Sequence, residues 1–283
     1  GAIINTILDP TLIFGFHMGI AGAAWATVIG QIVSGIMVIL YLRKFKTVDL
    51  TLKRLKPHPH YIGRIVSLGM APFFNQVSMM VVQIVMNNVL IRYGAKSSYG
   101  SDIPLACAGI ITKINMIFFS INIGISQGLQ PIISYNYGAR NAERVKGAFQ
   151  LLLKVSLIYS TLIWLFVQVV PQAFAGMFTS DAELLAFTSR ALRIYMACVF
   201  MFGIQIACQM AFTSIGFAKE SIIVAVTRKF ILLIPLIYIL PHVLTGNRTF
   251  AVYTAEPVAD FLAVTFTALL FRRQFKKALK SLA

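Results

Sequence analysis

The feature that most constrains this chain is the recurrence of apolar runs about one membrane-span long, parted by short polar loops. They lie near residues 1–16, 20–42, 62–91, 103–133, 147–171, 184–213, 222–244 and 250–271. A helix needs about 20 apolar residues to cross the hydrocarbon core of a bilayer, and the first run is too short to do so. No alternating strand pattern competes, and in lipid a helix satisfies its own backbone hydrogen bonds. The pattern predicts an all-α, polytopic helical membrane protein of about eight transmembrane segments. The competing idea is a soluble protein with a very large core. It fails on composition: 58% of the residues are hydrophobic and 12% charged, against roughly 25% charged in soluble domains. So few polar side chains cannot cover a water-facing surface of this size.

The net charge of +16 would suit a nucleic-acid partner if it were clustered on a soluble face. Instead it lies between the apolar runs, so no nucleic-acid partner is expected. Nineteen basic residues fall in alternate connections: Arg43 to Arg64, Arg140 to Lys154, Lys219 with Arg228 and Lys229, and the tail from Arg272 to Lys280. The intervening loops hold only Arg92, Lys96 and Arg248, while Lys113, Arg190 and Arg193 fall inside runs. Lys and Arg collect on the cytoplasmic side. That predicts a multi-pass protein of the cell membrane with a cytoplasmic C-terminus.

Cys107, Cys198 and Cys208 lie inside apolar runs without metal spacing and read as packed, reduced thiols. The four histidines, at 17, 58, 60 and 242, sit in loops or at run ends. No HExxH, Asp-rich pair or nucleophile–base constellation is present, so the sequence predicts neither an enzyme nor a metal site. The stretch QGLQPIISYNYGARNAER at 127–144 ends a long apolar run in polar residues. Gln127, Gln130 and Asn136 lie at or near membrane depth and should face protein or water. Pro131 sits where a helix can bend, and Gly138 where it can end.

That stretch resembles the Gln-Pro, Tyr-Asn-Tyr-Gly-Ala signature of the multidrug and toxic compound extrusion (MATE) family, in its prokaryotic branch. Three further stretches are similar in order and spacing: NTILDPTLIFGFHMGIAGAAWATVIGQ at 5–31, SLGMAPFFNQVSMMVVQIVMNNVLIRYG at 67–94 and TAEPVADFLA at 254–263. The resemblance implies twelve helices in two six-helix lobes. On that frame residues 1–42 are the end of the first lobe, with its first helix partial. Residues 43–61 are a basic cytoplasmic linker, and 62–283 a six-helix second lobe with a basic tail. The expectation is a C-terminal portion lacking the first four helices, which would be its partners. A faint repeat links the hairpin LDPTLIFGFHMGIAGAAWATVIG to LIPLIYILPHVLTGNRTFAVYTAEPVAD, as befits transporters built from internal repeats.

Ionisable groups inside a membrane are expensive and are functional candidates. Asp9 precedes Pro10 in the first run, Lys113 lies in the fourth, and Arg228 and Lys229 open the seventh. Glu256 and Asp260 share one helical face by their i,i+4 spacing. They are read either as a proton or cation site, or as a carboxylate pair neutralised by Arg228 or Lys113. Arg228 and Lys229 themselves read as a cap near the cytoplasmic interface. Asn75, Gln76, Gln83 and Asn87 keep near-helical spacing and are candidates for a cavity wall, with Gln205 and Gln209 facing them. Met79 and its neighbours offer adaptable contacts for apolar cations. The plain alternatives are interhelical hydrogen bonding and packing. Sodium-coupled relatives of the family carry carboxylates in helices equivalent to the third and sixth here, where this chain has SMMVVQ and QIACQM.

The expected function is proton- or cation-coupled antiport of small amphipathic, often cationic drugs by alternating access. The coupling ion is a proton or else sodium, and no cofactor is expected. A flippase for lipid-linked oligosaccharides and a non-transporting membrane scaffold are the alternatives.

Overall fold

The computed structural model describes residues 1–44 and 59–280. The chain divides into two compact units, 1–62 and 63–283. Most of the basic stretch expected to link two lobes, 45–58, lies outside the described residues. Every regular element among the described residues is helical.

The first unit is a hairpin. Helix α1 (Ala2–Pro10) passes into a π-helical turn at Thr11–Gly15, and α2 (Gly19–Arg43) returns. The turn needs positive φ at His17 and Gly19, 53° and 55°, which glycine adopts without a Cβ penalty. Gly22, Ala26 and Gly30 are the buried residues of α2. A Cβ on Gly22 would stand 3.0 Å from the Leu12 backbone, so close helix approach depends on that glycine.

In the second unit, α3 (Pro59–Gly94), α4 (Asp102–Gly138) and α5 (Ala142–Val169) run up and down. Short α6 (Pro171–Gly176) follows, then α7 (Ala182–Tyr195) and α8 (Val199–Ser214). Helix α9 (Ala218–Val226), a π-helical stretch Thr227–Leu233 and α10 (Ile234–Val243) form one apolar passage, and α11 (Arg248–Lys280) closes the unit. Asn141 and Asp181 cap α5 and α7 by accepting from Arg144 N–H at 3.0 Å and Leu184 N–H at 2.8 Å.

Six helices among the described residues are long and apolar enough to cross a membrane, and the pair α7–α8, bent by 52°, makes a seventh. Ala2–Gly15 is apolar but shorter. The protein is thus a multi-pass membrane protein, and the eight apolar runs correspond to these elements. The run 184–213 differs from a plain span, because it breaks between Tyr195 and Val199. Side chains of α5 meet the carbonyls near the break: Trp164 Nε1 donates to Ala197 O at 2.8 Å and Gln168 Nε2 to Arg193 O at 3.0 Å. A break inside a membrane persists only when its backbone is satisfied in this way. Gly203 lets α8 lie against α5, since a Cβ there would come within 2.6 Å of Ser156 O.

Two apolar clusters fill the second unit. One gathers Leu90, Ile111, Val167, Leu192, Leu233 and Tyr253, and the other gathers Ile133, Leu152, Phe212, Val224 and Phe271. Helices α4, α5, α8 and α11 and the passage α9–α10 each contribute one part of their length to the first and another to the second, while α3 contributes to the first alone. The polar residues fall where the passages cross over.

Candidate functional site

The crossover layer is the candidate site. Asn122 lies mid-way along α4, Ser156 and Ser160 along α5, and Gln205 on α8, all buried. Asn122 Nδ2 donates to Ser160 Oγ at 3.2 Å. Asn122 Oδ1, Ser156 Oγ and Gln205 Oε1 are buried with no hydrogen-bond partner among the described residues.

The same layer holds an ion cluster. Arg228 Nε donates to Asp260 Oδ1 at 2.7 Å, and its Nη2 reaches Glu256 Oε1 at 2.8 Å and Asp260 Oδ1 at 2.6 Å. The guanidinium also lies 4.7 Å from the centroid of the Phe202 ring on α8. Glu256 and Asp260 are buried on α11, one turn apart, and Lys229 is buried beside Arg228 on the chain. The planar arginine fork suits two carboxylates on one helical face. Of the two cations proposed from the sequence as partners, the structure brings Arg228 to the pair. Lys113 is exposed on α4 and makes no ion pair with a described residue.

One placement is corrected. Arg228 and Lys229 do not cap an end of the seventh run, as the sequence suggested. They lie ten and eleven residues into the passage Ala218–Val243, because the helix begins earlier than the apolar run suggests, at Ala218. Removing them from the basic residues expected on the cytoplasmic side leaves 17 of the 19 there. Both belong to the π-helical stretch, and π turns in helices cluster at functional positions.

The third passage presents a different surface. Gln76, Met79 and Met80 are exposed, while Asn75, Gln83 and Asn87 are half-buried. Gln83 Nε2 donates to Asn87 Oδ1 at 3.0 Å, and Thr112 on α4 reaches Gln83 Oε1 at 3.5 Å. This amide and methionine face continues onto α4 with Lys113 and Met116. Gln205 is buried in the crossover layer and Gln209 is half-buried, so the structure does not gather this pair onto the exposed face. Among the gate residues, Gln127, Pro131 and Gly138 are exposed and Gln130 half-buried. Helix α4 runs through Pro131 and ends at Gly138. Beneath it, Asn136 O accepts from Asn141 N–H at 2.9 Å, and Arg140 takes φ 56°.

Sequence reasoning missed Phe202, the Asn122–Ser160 bond and the two π-helical turns among the described residues. A buried Asn mid-way along a span was a readable signal for the second. Each of these π turns lies beside a proline, Pro10 or Pro235, which marks a bend in a helix without specifying a π turn.

Residues 72–239 match the family model MatE. The chain belongs to the MATE family. It is 28% identical over 264 residues to "Multidrug export protein MepA" of Staphylococcus haemolyticus, covering 92% of this chain and 56% of that protein. The protein of the same name from Staphylococcus aureus strain N315 is 26% identical, with 94% and 58% covered. The likeness to the MepA branch of the family therefore extends over nearly all of this MATE chain, which spans less than two thirds of those relatives' length. A crystal structure of MATE in the straight conformation superposes with a TM-score of 0.87 at 21% identity, covering 99% of this chain and 61% of that one. An outward-facing multidrug resistance MATE transporter gives 0.86 at 20% identity.

Proposed function

We propose that this chain supplies the second lobe and adjoining hairpin of a multidrug efflux transporter, a secondary antiporter working by alternating access in the cell membrane. The observation that carries the reading is the match of nearly the whole chain to proteins named for multidrug export. The amide and methionine face of α3 and α4 supports it, since polar groups at membrane depth should face a cavity or protein, and flexible thioethers accept varied apolar shapes. Its substrates are small amphipathic, often cationic drugs. The α3 and α8 interiors lack the carboxylates of sodium-coupled relatives, which favours a proton as the coupling ion. Arg228 sits on the π-helical stretch Thr227–Leu233, the irregular part of the ion cluster's support. A π-helical stretch relaxing towards α geometry would rotate its side chain away from Glu256 and Asp260. The family reading also favours a transporter over an enzyme.

The test is drug accumulation in cells carrying the transporter with any segments that precede this chain. Efflux should collapse on adding a protonophore and persist when sodium is replaced by choline. A strict sodium requirement would sink the coupling assignment, and no efflux of any amphipathic cation from well-expressing cells would sink the functional one.

A further inference from the structure

We infer that a groove between α6 and α7 binds the phosphate headgroup of a membrane phospholipid. The groove, of about 510 Å³, is lined by Gln172, Ser189, Arg190 and Arg193, with Pro171, Ala186 and Ile194 as apolar wall. Neither arginine forms an ion pair with a described residue, and no carboxylate lines the groove. The acids on the same helix are Asp181, which caps α7, and Glu183 in its first turn. Arg190 and Arg193 stand three residues apart and so share a helical face. Arg190 is held with its guanidinium 4.9 Å from the Phe250 ring centroid, leaving its planar fork of donors open on the groove side.

Depth selects the ligand. Gln168, one residue before the end of α5, donates to Arg193 O at 3.0 Å. That bond puts Arg193 level with the end of a spanning helix, at the border of hydrocarbon and headgroups. Trp164, one turn deeper, bonds Ala197 O at 2.8 Å, which suits the aromatic belt at that border. Arg190 lies one turn farther out. Two uncompensated guanidinium groups at headgroup depth, over an apolar wall, match a phosphodiester oxyanion with an acyl chain below it. A free anion from water would gain nothing from Ile194, Ala186 and Pro171. The end of α5 also exposes Phe166, Val169 and Val170, a rim suited to acyl chains.

The experiment is native mass spectrometry of the purified transporter titrated with phosphatidylglycerol, and separately with phosphatidylcholine and inorganic phosphate. The unaltered protein should retain one phosphatidylglycerol more tightly than the rest. Arg190→Gln with Arg193→Gln should weaken that adduct about thirtyfold, taking about fivefold per basic residue near an anionic surface. Arg272→Gln with Arg273→Gln, on the exposed end of α11, should leave it unchanged. Equal retention by the Arg190/Arg193 double variant overturns the proposal, and so does displacement of the lipid by millimolar inorganic phosphate. If the glutamine pair does not fold, Arg190→Gln and Arg193→Gln made singly should each weaken the adduct about fivefold. Retention by both single variants as tight as the unaltered protein's then overturns the proposal instead. This outcome is independent of whether drugs are exported.

Discussion

Two hairpins in this molecule share a plan and differ in what they tie together. In the first, α2 buries Gly22, Ala26 and Gly30. In the last, α11 buries Ala251, Ala255 and Ala259 at the same four-residue spacing. Each has a π-helical turn in its first helical arm, just after Pro10 in one and just before Pro235 in the other. In each, the residue after the central alanine makes the interhelical polar link. Thr27 meets Asn5 at 3.3 Å, with Asn5 also positioned 3.0 Å from Asp9. Glu256 meets Arg228 at 2.8 Å. A spine of small residues sets how closely the helices approach, and the side chain next to it decides how much depends on the contact. A neutral hydrogen bond inside a membrane is worth about 0.6 kcal/mol on average. Breaking a buried ion pair by removing one partner costs about 3–5 kcal/mol, since a charge is left behind. The polar link of the first hairpin should therefore tolerate change and that of the last should not.

The sharpest way to break that comparison is Arg228→Gln. It leaves Glu256 and Asp260 buried without their guanidinium, and should cost about 3–5 kcal/mol, seen as a large fall in thermal stability of the detergent-solubilised protein. The triple variant Arg228→Met, Glu256→Gln, Asp260→Asn removes the charges together and should recover most of that stability while losing the proposed transport. A single Arg228→Gln variant as stable as the parent would show that the cluster carries no such weight.

The contrast between the hairpins was half readable in the sequence. Length and hydropathy are local properties, so the eight apolar runs, the helical class and the shared face of Glu256 and Asp260 followed from spacing alone. The choice of Arg228 over Lys113 as their partner did not. It depends on where α9 begins, and the Lys219-Glu220 pair hid the first four residues of helix, 218–221. The break at Met196–Cys198 was also illegible, because no proline or glycine marks it and the carbonyls are satisfied by Trp164 and Gln168 from another helix. Likewise Gly203 reads as an ordinary membrane glycine until Ser156 O is found 2.6 Å from its absent Cβ. Asn75, Gln76, Gln83 and Asn87 were legible as one helical face, yet Gln205 was not legible as buried, because burial is decided by α4, α5 and α11 around it.

A smaller effect tests the spine. Gly22→Ala places a methyl 3.0 Å from backbone atoms of Leu12, which cannot swing aside as a side chain would. Overpacking of this kind costs about 1–3 kcal/mol. Ala251→Gly removes a methyl from the matching place in α11 and should cost about 1 kcal/mol through helix propensity. Paired thermal melts should rank Gly22→Ala as the more harmful of the two. The reverse order would mean that the first hairpin adjusts its interhelical distance freely, and that its glycines are not what sets it.

The smallest effect sharpens the comparison most, because it isolates the polar link from the spine. Thr27→Val keeps the shape of the side chain and removes only the hydroxyl, which also donates to Ala23 O at 3.0 Å within its own helix. The expected loss is about 0.6 kcal/mol, small enough that expression and melting should barely change. Asn5→Ala should cost slightly more, since Asn5 also serves Asp9, whose Oδ1 already lacks a partner among the described residues. Combining the two tests whether Asn5 and Thr27 act through one another: contacting residues give non-additive losses. If the double variant costs the sum of the singles, the link contributes nothing as a pair. The spine alone would then hold the first hairpin, and the polar position beside it would matter only where, as at Glu256, it carries charge.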